Sequence, residues 1–257
     1  MILGVLQARV SSSRLPGKVL KPILGEPMLA RQLERAKRSQ RMDALVVATS
    51  DRAEDDPIQT LCEKQGVACF RGNLNDVLDR FYLAAKPYAS EHVVRLTGDC
   101  PLIDPEVVDA TIEFYLQGAY DYASNAQAPY TFPDGLDVEV FRFQHLERAA
   151  REAELPSYRE HVTPFMSKHP EQFTIGHYTR EPSLGHLRWT VDEPEDFEMV
   201  RQIYEALYPI NPSFTTRDIL ALLKESPNMM RLNSHIARNA GVRPSLAADA
   251  VYLQTRV

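Results

Sequence analysis

Residues 2–22 read ILGVLQARVSSSRLPGKVLKP: an apolar run that passes at once into a loop with four cations and no acid. ILGVLQ has no polar alternation, so both faces of its strand must be covered, as in the interior of a parallel sheet. The pattern returns in ALVVAT at 44–49, VACF at 67–70 and HVVRLT at 92–97. Between these runs the apolar residues take helical spacing: Leu29, Leu33 and Ala36 behind Pro27, then Ile58, Leu61 and Cys62, then Val77, Leu78, Phe81 and Ala85. Asp104 and Pro105 supply an N-cap and a first-turn proline for EVVDATIEFY. This alternation predicts an α/β fold, a mostly parallel twisted sheet with helices on both faces. Ligands on such sheets bind beyond the carboxyl ends of the strands, where the loops at 8–18, 48–51, 71–80 and 98–101 gather.

The second half changes character. DGLDVEVFRF at 134–143 predicts a strand, and FTIGHYTR with HLRWTV, flanking Pro182-Ser183-Leu184-Gly185, predicts a small antiparallel hairpin insertion packed down by Phe173, Tyr178 and Trp189. Asp192-Glu193-Pro194 starts a helix whose apolar face is Phe197, Val200, Ile203 and Tyr204. Residues 1–225 read as one domain, and 226–257 as a polar, weakly patterned tail packed on the body or on a partner.

The 257 residues carry 29 basic and 35 acidic side chains, a net charge of -6, which gives no broad basic field for nucleic acid. Cys62, Cys69 and Cys100 make neither a disulfide framework nor a C-x-x-C site, so a reducing, cytoplasmic compartment is expected. No apolar run approaches the ~20 residues of a membrane span.

A basic loop between a parallel strand and a helix presents backbone N–H groups to an anion. Arg9, Arg14, Lys18 and Lys21 repel one another unless a polyanion lies among them; a triphosphate fits, with Ser12 and Ser13 donating to its oxygens. Neither G-x-x-x-x-G-K-[ST] nor G-x-G-x-x-G is present.

Arg9, Ser12, Arg14, Pro16 and Lys18 form R-x-x-S-x-R-x-P-x-K, which resembles the opening motif of the cytidylyltransferases that make CMP-Kdo and CMP-sialic acids, and in particular the branch called spore coat polysaccharide biosynthesis protein F. The likeness continues through ATSDRAEDDPI, RGNLNDVLDRFY, VVRLTGDCPLIDP, PDGLDVEVF, REHVTP and RWTVDEPEDF, covering roughly residues 1–208. It implies a nucleotide-diphospho-sugar transferase fold (GT-A, Rossmann-like) and transfer of CMP from CTP to a sugar, an acidic one by analogy, for surface polysaccharide. It also implies Mg²⁺ and a homodimer. The metal turn departs from the Kdo enzymes, reading GDCP where theirs reads GDEP.

Residue by residue, the resemblance gives Arg14, Lys18 and Asp99 as catalytic and Asp99 with Asp192 as metal ligands. Gln7, Ala8, Arg9, Ser12, Ser13, Thr49, Ser50, Asp51, Arg71, Asp76 and Arg80 would join Arg14 and Lys18 around the nucleotide. Asp134, Asp137, Glu139, Arg159, Glu160 and His161 would meet the acceptor. Each has a plainer reading: Asp99 as a turn residue, Asp192 as a helix cap, Asp76 and Arg80 as an i,i+4 pair, His161 as a buried, hydrogen-bonded imidazole. These residues do not separate CTP from another nucleotide. A GT-A glycosyltransferase is the competing enzyme, though Gly98-Asp99-Cys100 lacks the D-x-D such enzymes usually carry. A non-catalytic nucleotide-binding partner in an assembly complex is the third reading, and the intact basic loop and both aspartates argue against it.

Overall fold

A computed structural model describes residues 1–238 and 243–255; the remainder of the 226–257 segment lies outside the described residues. Strand β1 (Ile2–Gln7) lies in the interior of a seven-stranded sheet, ordered β5-β4-β1-β6-β8-β7-β9. A small antiparallel pair, β2 (Pro22–Ile23) with β3 (Glu26–Pro27), stands apart. Strands β4 (Ala44–Ser50), β5 (Ala68–Gly72) and β6 (His92–Thr97) run parallel with β1. Strand β7 (Tyr122–Ser124) pairs antiparallel with β8 (Glu139–Arg142), which is antiparallel to β6, and parallel with β9 (Ile175–His177). Only β8 opposes the common direction, so the mostly parallel sheet is borne out.

Alternate strand residues feed two layers, as the pleat requires. On one face Leu6, Val47, Val94 and Leu96 pack against α1 (Met28–Ala36), α2 (Asp56–Gln65), α4 (Pro105–Gln117), α8 (Pro194–Leu207) and α9 (Thr216–Glu225). On the other, Leu3, Val5, Val46 and Val93 meet α3 (Val77–Ala85), α5 (Phe143–Glu152) and α7 (Pro164–Ser167). Each such side chain contributes about 1.5–3 kcal/mol by leaving water. The short α6 (Pro156–His161) and α10 (Pro227–Arg231) lead to α11 (Arg243–Gln254), which packs on α6.

The hairpin expected across 173–191 is not formed; the small antiparallel pair is β2–β3. Residues 175–177 add to the sheet edge beside β7. Residues 186–191 instead close onto the loops: Trp189 and Thr190 N–H donate to the Asp134 carbonyl (2.6 and 2.8 Å), and Val191 N–H to that of Asp99 (2.8 Å). The strand read over 134–143 is shortened to 139–142, because the Asn125 amide bonds Leu136 O and Val138 N–H in place of a neighbouring strand. The 226–238 segment and α11 lie on the body of the same chain.

Candidate active site

A cleft of about 900 Å³ opens over the carboxyl ends of β1 and β6. Its floor is Gln7, Ala8, Thr97, Gly98 and Asp99, and its walls come from the first crossover loop, the 134–139 and 188–192 segments, α6 and the start of α11. Gly98 must be a glycine, since a Cβ there would stand 2.9 Å from both Gln7 O and Ala8 Cβ.

The crossover loop turns at Gly17, whose φ of 70° is left-handed, and delivers Lys18 into a single 3-10 turn. Lys18 Nζ donates to Val191 O (2.7 Å) and Asp192 Oδ1 (2.9 Å) and lies 3.4 Å from Asp99 Oδ2. Burial works against its charge, but the two carboxylates more than offset it and hold the ammonium above its ordinary value. Burial likewise pushes Asp99 up, and Lys18, Thr97 and the Cys100 thiol outweigh it, so Asp99 stays below the usual carboxylate range. Arg14 reaches Asp192 Oδ1 (3.0 Å) and Glu193 Oε1 (3.3 Å). Among the described residues Arg9 forms no ion pair, although it lines the cleft with Ser12 and Ser13. Arg80 is buried on the same floor, its Nε without a partner; burial and Arg9 lower its guanidinium to about 10.

The turn that carries Asp99 is held from below. Gln32 Nε2 donates to Thr97 O (2.6 Å), Arg35 Nε to Ile103 O (2.7 Å), and Tyr204 OH to Pro101 O (2.7 Å). Asp192 is set by Arg188, a buried residue that sequence reading left without a role. Its guanidinium grips both oxygens of Asp196 (2.8 Å each) and reaches Asp134 Oδ2 (2.9 Å) and Asp192 Oδ2 (3.3 Å). Asn233, from the C-terminal segment, donates to Asp196 Oδ1 (2.9 Å) and Arg188 O (3.0 Å). Gly135, at φ 111°, lets Asp134 approach this strip.

Asp134 and Asp137 face the cleft and meet Arg238, which donates to Asp137 Oδ1 (2.8 Å) and lies 3.9 Å from Asp134 Oδ1. Burial raises both carboxyls, Asp137 to about 7 against the pull of Arg238. Glu139 is fully engaged, pairing with Arg95 and accepting from Tyr122 (2.6 Å) and Thr163 (2.5 Å). Arg95 passes the network on to Gln7 Oε1 (3.1 Å). Glu160, His161 and Lys168 line the far end with Pro244 and Leu246. His161 Nε2 lies 2.8 Å from Ser245 Oγ, and burial lowers its pKa. Asp249 anchors α11 by accepting from Ser157 N–H (2.8 Å) and Oγ (2.6 Å).

Six expected residues are not brought into the cleft. Thr49 and Ser50 are buried beneath the sheet edge, and Ser50 Oγ donates to Asp55, which also accepts Val10 N–H (2.7 Å) and so ties β4 to the crossover loop. Asp51 borders a separate shallow hollow with Asn73 and Leu74. Arg71 is spent on Ser50 O, Arg52 O, Gln59 and Asp56. Asp76 caps α3 and pairs with Arg159, whose Nη1 donates to Ala150 O (2.6 Å). Arg159 therefore braces α6 against α3 and α5 instead of reaching an acceptor. These side chains are polar and sit near strand ends, and only the packing separates brace from wall.

Asp99 and Asp192 supply hard oxygens aimed at one point, which fits Mg²⁺, an ion that takes one or two protein carboxylates beside phosphates and waters.

An open α/β sheet with a basic crossover loop facing paired aspartates across a polar cleft has the build of a nucleotidyltransferase. The chain belongs to the cytidylyltransferase family, whose profile matches residues 3–225. It is 36% identical to the uncharacterized protein MJ1063 of Methanocaldococcus jannaschii, over 93% of this chain and 97% of that one. It is 32% identical to the spore coat polysaccharide biosynthesis protein SpsF of Bacillus subtilis, over 88% and 95%. A solved cytidylyltransferase from Leptospira borgpetersenii superposes with a TM-score of 0.84 at 34% identity, over 89% of this chain and 96% of that one. No described helix is long and apolar enough to cross a membrane.

Proposed function

We propose that the protein transfers CMP from CTP to a hydroxyl of an acidic sugar, releasing pyrophosphate, and that it acts as a cytoplasmic homodimer in surface polysaccharide synthesis. The observation that carries this reading is the meeting, in one cleft, of the basic crossover loop with Asp99 and Asp192. The sugar oxygen bonds to the α-phosphorus as the bond to the β-phosphate oxygen breaks, and the hydroxyl proton leaves to a base. Positioning and electrostatics supply most of the acceleration in such transfers. Arg14 and Lys18 hold the β- and γ-phosphates and match the charge that grows on pyrophosphate, with Arg9, Ser12 and Ser13 on the flank. Bound Mg²⁺, held by Asp99 and Asp192, would supply further charge neutralisation. Asp137, whose carboxyl burial pushes up to about 7, suits the base. Glu160, His161 and Asp134 complete the acceptor half.

The test is pyrophosphate release with each NTP, Mg²⁺ and a panel of sugars. Release confined to CTP with an acidic sugar is expected. No release, with transfer from a UDP- or GDP-sugar instead, would overturn the reading. Light scattering at micromolar concentration should give twice the chain mass.

A further inference from the structure

The Lys18 ammonium is ringed by three oxygens from separate places: Val191 O at 2.7 Å, Asp192 Oδ1 at 2.9 Å and Asp99 Oδ2 at 3.4 Å. Two anionic oxygens and a carbonyl aimed at one largely buried point are the donor set of a hard divalent cation. Here a lysine fills it. We infer that Lys18 occupies the cation position of the nucleotide-free protein, with the Val191 carbonyl as its third ligand, so that a divalent ion enters only when a triphosphate draws the lysine away. The inference rests on the reading that CTP and Mg²⁺ share this cleft.

Charge balance gives the reason. Asp99 and Asp192 bring two negative charges; Lys18 brings one positive charge and Arg14, 3.0 Å from the same Asp192 oxygen, another that it shares with Glu193. Arg188 covers the second Asp192 oxygen while serving Asp134 and Asp196. A divalent ion added here meets two like charges at close range and finds both aspartates already paired with a cation. A triphosphate alters the balance by offering Lys18 and Arg14 charge-assisted hydrogen bonds. Lysine can follow it, because its ammonium rides on a flexible four-carbon stem. The two aspartates are then free for the metal. Coupling of this kind is reciprocal: nucleotide tightens metal and metal tightens nucleotide by the same factor.

Mn²⁺, visible by electron paramagnetic resonance, serves as the probe, titrated into wild type, Lys18→Met and Lys18→Arg with and without CTP. Without nucleotide, wild type and Lys18→Arg should bind Mn²⁺ weakly and Lys18→Met about tenfold or more tightly. CTP should tighten Mn²⁺ on wild type by a similar factor. Mn²⁺ should also raise the melting temperature of Lys18→Met more than that of wild type, and a variant that folds only with Mn²⁺ would support the inference equally. Lys18→Met binding Mn²⁺ no more tightly than wild type, or remaining unfolded with and without Mn²⁺, would overturn it. So would nucleotide-free wild type binding Mn²⁺ as tightly as with CTP. The nucleotide-free arm judges the lysine alone, whereas a wild type that never binds CTP would defeat the proposed function.

Discussion

Replacing Arg188 by leucine removes the one cation that Asp196, with no exposed surface, shares with Asp134 and Asp192. Deleting one partner of a buried ion pair costs about 3–5 kcal/mol, because the remaining charge is left without compensation. For a chain of this size that is a fall in melting temperature of roughly 6–20 °C. The loss should depend on pH in a defined direction. In the native protein burial pushes Asp196 up, but the Arg188 bonds, the Asp192 N–H and Asn233 pull it below its ordinary value. Its contribution is therefore present above about pH 4 and lost as pH falls through the lowered value. Without Arg188, burial dominates, the Asp196 carboxyl rises above its unfolded value, and the variant regains stability on acidification. Urea melts of both proteins at about pH 8 and about pH 5.5 should show the gap narrowing by about 1 kcal/mol or more at the lower pH. Arg188→Lys should fall between the two, since an ammonium restores charge without the planar fork. A gap below about 1 kcal/mol at the higher pH, or one that does not change with pH, would refute the reasoning.

Gly135→Ala should destabilise by about 3–5 kcal/mol, because its Cβ would stand 2.4 Å from Thr190 N and 2.5 Å from Trp189 C, backbone that cannot step aside, at a φ of 111°; calorimetry checks this. Asp249→Ala leaves the Ser157 N–H and hydroxyl unpaired, and at about 1.5–3 kcal/mol for a bond to a charged group it should release α11. Hydrogen exchange of residues 243–254 should quicken while that of β1 stays slow. The Asp137 carboxyl, raised to about 7, adds stability that is full at acid pH and lost as pH climbs through about 7, whereas pyrophosphate release should rise over the same interval. Asp137→Asn should flatten both profiles, read by melting temperature and by rate. Asp99→Asn and Asp192→Asn should each abolish metal-dependent turnover while circular dichroism stays that of wild type.

Hydrophobic patterning made the first half of the chain legible. ILGVLQ, ALVVAT and HVVRLT are buried on both faces, and runs of that kind have few alternatives to a parallel sheet. Past residue 117 the strands are shorter and depend on distant partners. Tyr122–Ser124 and Ile175–His177 are three-residue strands held by distant partners, the first between β8 and the second, and HLRWTV is drawn to the Asp134 and Asp99 carbonyls instead of a hairpin partner. The site followed the same division. Arg14, Lys18, Asp99 and Asp192 stood out as charges in loops between apolar runs, and the fold brings all four together. Arg71, Asp76 and Arg159 looked the same in sequence, yet backbone carbonyls and one another consume them. Arg188 passed unnoticed because nothing in RWTVDEPEDF shows that its guanidinium points inward; its spacing of four and eight residues from Asp192 and Asp196 was the available sign.

The bonds from Gln32, Arg35 and Tyr204 all end on main-chain carbonyls of the 97–103 turn, so neighbouring helices hold its main chain, while within the turn the Cys100 thiol lies 3.3 Å from Thr97 Oγ1 and donates to Asp99 Oδ1. Position 100 is thereby relieved of fixing the main-chain path, and its side chain acts on Asp99 directly. A thiol can stand where the Kdo enzymes place a glutamate without displacing Asp99, and exchanges there would retune the chemistry of the cleft wall while the scaffold keeps its shape.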